Sequence, residues 1–97
     1  MNQDKSGWVG PVLDAGEIAD AIVVAVKSLN GSVVIEDRGS YLRVLCPDRC
    51  VLTRRAIEEA LGRPFRLPGE LECAMPSFKG SFRVTEDEAE WTVGSIP

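Results

Sequence analysis

The 97-residue sequence contains no histidine, and this absence excludes several kinds of active site. A Ser–His–Asp or Cys–His nucleophile needs an imidazole as its general base. Glycine-rich phosphate loops are also missing, because NGS and RGS are sequences of ordinary turns. The acidic run Glu86–Asp87–Glu88 lies in a predicted hairpin turn, where solvation is its expected state. Catalysis by this chain alone is therefore not expected.

Cysteine is scarce, and its number, three, is odd. An odd number argues against a closed disulfide framework. A zinc site would need carboxylate ligands, and the C-x-x-C spacing of structural zinc sites is absent. Cys46, Cys50 and Cys73 are therefore predicted to be buried or half-buried thiols. The cysteines therefore predict no structural zinc site.

Long hydrophobic runs are absent as well, since no apolar stretch approaches the roughly 20 residues that span a bilayer. The first residues, MNQDKSGW, lack the basic-then-apolar pattern of a signal peptide. These features predict a cytoplasmic protein. With 44% hydrophobic and 27% charged residues, the composition is that of a folded domain. We predict a flexible N-terminal tail over residues 1–8 and a single domain over residues 9–97.

Charge is unevenly distributed along the chain, whose net charge is −4. Residues 38–66 contain seven arginines and three acids, whereas the segments on either side each have a net charge of −4. An arginine-rich middle in an acidic protein indicates a local docking patch. The alternative for any single arginine is solvation and pairing with a neighbouring acid.

The first predicted helix follows a short strand. Asp14 is its predicted N-cap, and Gly31 is predicted to end it in a left-handed conformation. Before the helix, Pro11 places the strand WVGPVL at the edge of a sheet, because proline cannot donate to a ladder. The apolar spacing of the helix is carried by Ile18, Ile22, Ala25 and Leu29.

A second helix is predicted within VLTRRAIEEALGRPF, residues 51–65. Thr53 is its predicted N-cap, Leu52 before it can pack against Ile57, and Gly62 ends it. The predicted buried stripe contains Ala56, Ile57, Ala60 and Leu61.

Two arginines, Arg54 and Arg55, occupy the first turn of this helix, where the macrodipole disfavours each cation by roughly 0.3–1 kcal/mol. Glu58 and Glu59, four residues further on, can offset about 0.2–0.5 kcal/mol per pair. Pairing within the helix is thus sufficient to explain the position of these two arginines. The other explanation is a basic surface that binds an acidic partner.

The remaining segments predict strands. DRGS, with Gly39 at positive φ, predicts a hairpin in which Leu42, Val44 and Cys46 share one face. ELECAM, GSFRVT and EAEWTV also alternate, which buries Phe82 and Val84 opposite Ala89, Trp91 and Val93, while PSFKG is predicted to be an irregular loop. The fold class is therefore α+β, with two helix-plus-antiparallel-hairpin units in a two-layer sandwich.

The order of elements is also that of a βαββαβ RNA-binding module, which stacks bases on aromatic residues of its sheet. Aromatic residues make up only 6% of this chain, and its net charge is negative. Both facts disfavour RNA binding. A generic binding module that uses the arginine-rich middle remains the alternative.

Four segments, VGPVLDAGEIAD, VVIEDRGSYLRV, LTRRAIEEALGRPF and PSFKG, resemble in order and spacing the effector (coupling or regulatory) proteins of bacterial multicomponent diiron monooxygenases. The resemblance covers about residues 8–93 and is greatest to the toluene and alkene/isoprene branch. The segment CPDRC and the N-terminal tail have no counterpart in it.

This resemblance implies a monooxygenase-effector fold without a cofactor or an active site of its own. It implies that the chain binds a diiron hydroxylase and couples NADH-derived electrons and oxygen activation to hydrocarbon oxidation. A Rieske ferredoxin and a flavin reductase deliver the electrons in that branch. Neither nucleic acid nor membrane is an expected partner, and the free chain is expected to be a monomer.

The resemblance and the residue types together give a set of candidate contacts with the hydroxylase. An effector needs anchors for affinity and charges for register. The candidates are Arg54 and Arg55 on the second helix, Ser77, Phe78 and Lys79 in PSFKG, and Tyr41 and Arg43 in the hairpin.

Overall fold

Residues 7–94 are described by a computed structural model, in which seven strands and three helices follow one another in a mixed order. These elements are β1 (Trp8–Asp14), α1 (Glu17–Leu29), β2 (Val34–Asp37), β3 (Tyr41–Pro47), β4 (Arg49–Thr53), α2 (Arg54–Leu61), α3 (Gly69–Ala74), β5 (Ser77–Lys79), β6 (Ser81–Val84) and β7 (Glu88–Thr92). The strands form a four-stranded sheet, β2-β3-β1-β5, and a three-stranded sheet, β4-β7-β6, both antiparallel. The predicted α+β class is confirmed.

One hydrophobic core joins both sheets and all three helices. Helix α1 packs against α2 and β4, which brings Ile22, Leu52 and Ile57 together out of solvent. Trp91 of β7 is fully buried, as its strand position predicts. The core therefore binds the two sheets into a single unit.

Strand β1 lies in the interior of its sheet, so the predicted edge position is wrong. It pairs with β3 on one side and with β5 on the other. Its register with β3 is the same before and after Pro11, but no bridge pair is formed between Val9–Cys46 and Val12–Arg43, where Pro11 lies. The ladder therefore tolerates a residue without an amide hydrogen, which the sequence alone does not reveal.

Helix α1 is confirmed, but both of its predicted ends are wrong. Asp14 is the last residue of β1, opposite Tyr41, because the β1–β3 ladder extends that far. Gly16 occupies the N-cap position without a side-chain hydrogen bond. At the other end, Asn30 rather than Gly31 is the C-cap, and it has an extended backbone with φ −127°.

Asn30 also closes the outer edge of β4. Its side-chain amide donates to the Val51 carbonyl oxygen at 2.9 Å and accepts from the Val51 amide nitrogen at 3.0 Å. A second bond from the Asn30 side chain reaches the Val26 carbonyl oxygen at 2.8 Å. One polar side chain thus joins the end of α1 to the strand that leads into α2.

Helix α2 begins and ends as predicted. Thr53 Oγ1 accepts a hydrogen bond from the Ala56 amide at 3.1 Å, and Gly62 ends the helix with φ 79°. The residues before Thr53 belong to β4, a strand that the sequence analysis did not predict. Of the predicted stripe only Ile57 is buried, while Ala60 is exposed. So short a strand, directly followed by a capped helix, has no recognisable pattern of its own in the sequence.

Two further predictions are wrong between residues 69 and 79. Most of the segment ELECAM lies in helix α3, in which Leu71 is buried, and Met75, the C-cap four residues on, is buried as well. A segment of four residues such as E-L-E-C is compatible with both the period of a strand and the period of a helix. The segment PSFKG contains β5, a three-residue strand too short to produce a pattern.

The two predicted hairpins are confirmed. In β2–β3, Gly39 has φ 86° and donates its amide hydrogen to Asp37 Oδ1 at 2.8 Å. In β6–β7, Phe82 lies opposite Trp91, although Val93, predicted to be buried, is 41% exposed.

Of the predicted N-terminal tail, residues 1–6 lie outside the described residues, as do residues 95–97. The Gly7 carbonyl oxygen accepts from the Asp48 amide at 2.7 Å, and Trp8 is the first residue of β1. None of the helices in residues 7–94 has the length and apolar character that crossing a membrane requires.

Candidate functional site

The sheet register brings four of the predicted contact residues to one face. Arg43 of β3 lies opposite Val12 of β1, and Val12 lies opposite Ser77 of β5. Directly opposite residues point to the same side of a sheet, as do residues two apart along a strand. Tyr41, Arg43, Ser77 and Lys79 therefore share one side of the four-stranded sheet, which we call the open face.

The reverse side of this sheet supplies the core. Leu13, Leu42 and Val44 are almost fully buried there. On the open face, by contrast, Tyr41 is 38% exposed and Val12 is half-buried. The sheet thus packs against the core on one side. Its other side is exposed around Tyr41, although Leu45 on that same side is only 3% exposed.

Polar groups on the open face are held in place by one another. Glu36 of β2 pairs with Arg43 at 3.4 Å and with Arg38 at 3.5 Å. Val12 and Val34 add half-buried apolar surface beside these charges. Such a mixture is typical of a non-obligate protein interface. Sequence analysis missed both valines, whose only signal is the alternation within β1 and β2.

Phe78 lies on β5 but not on the open face. It is opposite Pro11, on the reverse side of the strand, and is 43% exposed. Its ring centroid lies 5.3 Å from that of Phe82, which stacks on Trp91 at 5.2 Å. Phe78 is thus the exposed end of an aromatic row that begins in the core.

Arg54 lies away from these strands and is tied into the fold. Its guanidinium contacts Asp87 at 3.2 Å and Glu58 at 3.7 Å, and its amide donates to the Asp87 carbonyl oxygen at 2.8 Å. Glu58 also accepts from the Phe65 amide at 2.9 Å. These bonds join the β6–β7 turn, the start of α2 and the segment after α2. The sequence predicts only solvation for Asp87. In the structure it is an acidic partner of Arg54, and it compensates for the macrodipole that disfavours a cation at this end of the helix.

Arg55, the next residue, differs from Arg54. It is exposed, and no acid in residues 7–94 forms an ion pair with it; the expected pair with Glu59 is not formed. The first turn of α2 therefore presents one compensated and one uncompensated arginine to solvent.

Most of the other arginines in the basic segment are compensated too. Besides those on the open face and at α2, Arg49 bonds to Glu90, and Arg63 pairs with Glu70 at 3.4 Å. Five of the seven arginines of residues 38–66 thus have acidic partners. These ion pairs offset part of the positive charge of the basic segment.

Within the described part of the chain, no three acidic or cysteine side chains converge closely enough to hold a metal ion. Cys46 and Cys50 are buried as predicted, whereas Cys73, on the outer side of α3, is exposed.

Comparison with known proteins identifies relatives of this chain. Residues 8–92 match the model of the MmoB/DmpM family. The effector subunit of the alkene monooxygenase system of Xanthobacter autotrophicus (strain ATCC BAA-1158 / Py2) is 44% identical over 85 residues, which cover 86% of this chain and 83% of that protein.

Two solved structures share the fold. A chain of the phenol hydroxylase–regulatory protein complex superposes with a TM-score of 0.78 at 21% identity, over 88% of this chain and 97% of that one. Regulatory protein B of soluble methane monooxygenase gives a TM-score of 0.67 at 19% identity, over 95% of this chain and 69% of that one. The predicted monooxygenase-effector fold is confirmed.

Proposed function

The chain belongs to the MmoB/DmpM family, and from this premise we propose how it acts. It is the effector subunit of a multicomponent monooxygenase, a regulatory protein and not an enzyme. The observation that carries the proposal is the match of nearly the whole folded region to effector proteins. We further infer that its partner is the diiron hydroxylase component.

In this proposal the hydroxylase holds the metal and performs the oxidation of an aromatic or alkene substrate. A Rieske ferredoxin and a flavin reductase supply electrons from NADH, and the effector couples their use to product formation. The effector itself carries no cofactor, acts in the cytoplasm and is a monomer before it binds. Its unpaired buried thiols suit a reducing compartment.

The physical mechanism is a shift of population. A hydroxylase that exchanges between conformers is moved only by the difference in the effector's affinity for them. A coupling free energy of roughly 1–3 kcal/mol changes that equilibrium about 5–150-fold. The effector must therefore present a rigid surface that fits one conformer better.

Two surfaces have the required properties. The open face combines Tyr41, Arg43, Ser77 and Lys79 on a sheet whose reverse side is fixed by the core. The start of α2 offers Arg55, whose charge is left for an acidic group of the partner. Arg54 lies beside Arg55, but its charge is already compensated by acids of this chain. Phe78 lies outside both surfaces and is a separate aromatic contact.

The test is reconstitution with the matching hydroxylase, ferredoxin and reductase. We expect added effector to raise the rate of product formation and the fraction of NADH converted to product, and to lower the release of peroxide. Equal rate and equal coupling with and without the chain would refute the proposal. Product formation by the isolated chain would refute it as well.

A gel-shift assay at several salt concentrations distinguishes the proposed effector function from nucleic-acid binding. We expect no shift of RNA or DNA at physiological salt, because most arginines of the basic segment are paired with acids. A specific complex with either nucleic acid would favour the alternative.

A further inference from the structure

The link between α1 and β2 begins with the pair Asn30–Gly31, at the point where α1 is bonded to β4. Of the two asparagines of the chain, Asn2 and Asn30, only Asn30 is followed by glycine. A glycine has no Cβ, so its backbone nitrogen can closely approach the carboxamide of the preceding asparagine. Gly31 is exposed, and a Cβ on it would meet nothing within 4 Å. Both the Gly31 nitrogen and water can therefore take part in a reaction at this link.

The folded chain holds the Asn30 carboxamide with three hydrogen bonds, which we call the α1–β4 junction. Nδ2 donates to the Val26 carbonyl oxygen at 2.8 Å and to the Val51 carbonyl oxygen at 2.9 Å, and Oδ1 accepts from the Val51 amide at 3.0 Å. Both hydrogens of Nδ2 are thus engaged, which is the full donor capacity of this group. The two bonds from Nδ2 must break before this nitrogen can leave the side chain. The closed junction therefore protects Asn30, and a local opening removes the protection.

We propose that Asn30 is a modification site at which an opening of the α1–β4 junction becomes a permanent change of the chain. In the open state, the Gly31 amide nitrogen attacks the side-chain carbonyl carbon of Asn30. The bond from that carbon to Nδ2 breaks, and ammonia leaves with the proton of the Gly31 amide. Water then opens the resulting cyclic imide at either of its two carbonyl carbons. One water is consumed, one ammonia is released, and residue 30 becomes aspartate or isoaspartate.

Neither product can restore the junction. A carboxylate has no hydrogen to donate, so it would face the Val26 and Val51 carbonyl oxygens with acceptors alone. Its negative charge would also lie at the C-terminal end of α1, where the macrodipole disfavours an anion. Isoaspartate in addition lengthens the main chain by one methylene. Strand β4, which leads directly into α2, thus loses the bonds at its outer edge. The reaction needs no partner and is independent of the proposed function.

Peptide mapping of the full chain measures the reaction. Cleavage after Lys27 and Arg38 releases SLNGSVVIEDR, residues 28–38, in which Asn30 is the only side-chain amide. The chain is incubated at mildly alkaline pH in buffer and in urea, and mass spectrometry follows the gain in mass as OH replaces NH2. We expect modification to be about tenfold faster in urea than in buffer, or more, because the folded chain reacts only through its open fraction.

Gly31→Ala is the matched control for the mechanism. Gly31 does not have a positive φ, and a Cβ there would meet nothing within 4 Å, so we expect the urea midpoint of this variant to be unchanged. In urea, however, the variant should be modified more slowly than the unaltered chain, because the added Cβ hinders the approach of the nitrogen. Equal rates for the two chains in urea would show that the nitrogen of residue 31 is not the nucleophile, and would overturn the proposal.

Asn30→Asp reproduces one of the products, and we expect its urea midpoint to lie below that of the unaltered chain. A sample of the unaltered chain that has been modified in urea and returned to buffer should show a loss of the same sign. This sample keeps the test decisive if Asn30→Asp does not fold. An unchanged midpoint of the modified sample would overturn the proposal, as would equal rates of modification in buffer and in urea.

Discussion

The start of α2 and the open face of the four-stranded sheet present their polar groups in different ways. At α2, Arg54 reaches across to another element, the β6–β7 turn, through Asp87. On the open face, the contacts of Arg43 stay within its own sheet, with Glu36 on the next strand. The first region uses its charge to hold the fold together, whereas the second uses its charge to shape a surface.

This difference shows that neighbouring residues in sequence can serve different ends. Arg54 and Arg55 are adjacent and chemically identical, yet only Arg54 has acidic partners in the folded chain. Residues far apart in sequence, such as Arg43 and Ser77, lie in one row with Val12. The following predictions test the comparison.

The largest effect is expected at Gly10, which lies in β1 beneath the open face. A Cβ there would lie 1.9 Å from the Val44 carbonyl oxygen, and φ is +150°. We expect Gly10→Ala to lower the free energy of unfolding by about 3 kcal/mol. Gly39→Ala is the control, since a Cβ at Gly39 meets nothing within 4 Å and its φ of +86° costs about 1 kcal/mol. Chemical denaturation measures both, and equal losses would contradict the steric argument.

The next effect concerns Asn30, which holds β4 where it leads into α2. Asn30→Ala leaves the Val51 amide and carbonyl without partners, and we expect a loss of about 2 kcal/mol. Ser28→Ala, which removes a single bond to the Ala25 carbonyl oxygen, should cost less than half as much. If urea denaturation gives equal losses, Asn30 does not close the strand edge.

Removing an aromatic anchor tests whether the open face is the docking surface. We expect Tyr41→Ala to weaken hydroxylase binding by about 1–2 kcal/mol, roughly tenfold or more. Val24→Ala on α1 is the control, because Val24 is an apolar side chain that is 59% exposed outside the open face. Isothermal titration calorimetry supplies both constants, and the open face is not the docking surface if Tyr41→Ala binds as tightly as Val24→Ala.

Charge reversal separates the roles of the two regions further. We expect Arg55→Glu to weaken binding about tenfold, or 1.4 kcal/mol, and to alter its salt dependence. Its free energy of unfolding should not fall, because the helix macrodipole favours an acid in the first turn of α2. Arg83→Glu makes the same change of charge at an exposed arginine on β6 and should have little effect. Identical binding and salt dependence in these two variants would leave Arg55 without a role in docking.

The smallest effect is expected for the stability role of Arg54. We expect Arg54→Ala to reduce the free energy of unfolding by about 0.5–1 kcal/mol, because its ion pairs are partly exposed. Asp87→Asn should reproduce part of this loss, and the double variant should lose less than the sum of the two single losses. Strict additivity in thermal denaturation would show that the two side chains do not interact.

Local chemistry explains which elements the sequence predicted. The Thr53 cap with Gly62, and the turn with Gly39, are short motifs in which each residue meets its own near neighbours. Several of the wrong predictions depend on distant partners. Asp14 belongs to the β1–β3 ladder, where it lies opposite Tyr41. Pro11 lies where bridge pairs between β1 and β3 are missing. The three-residue strand β5 exists only because β1 pairs with it.

The sequence by itself determined the α+β class, the capped helix α2, the buried Trp91 and the resemblance to monooxygenase effectors. It also identified four residues of the open face, Tyr41, Arg43, Ser77 and Lys79, although not that they lie together. Only the tertiary structure decided that Arg54 is compensated and Arg55 is not, and that Phe78 lies on the opposite side of the sheet from the other candidate contacts of the four-stranded sheet. Caps and turns are set by bonds within a few residues, whereas these features are set by register between strands, which depends on the packing of the whole core.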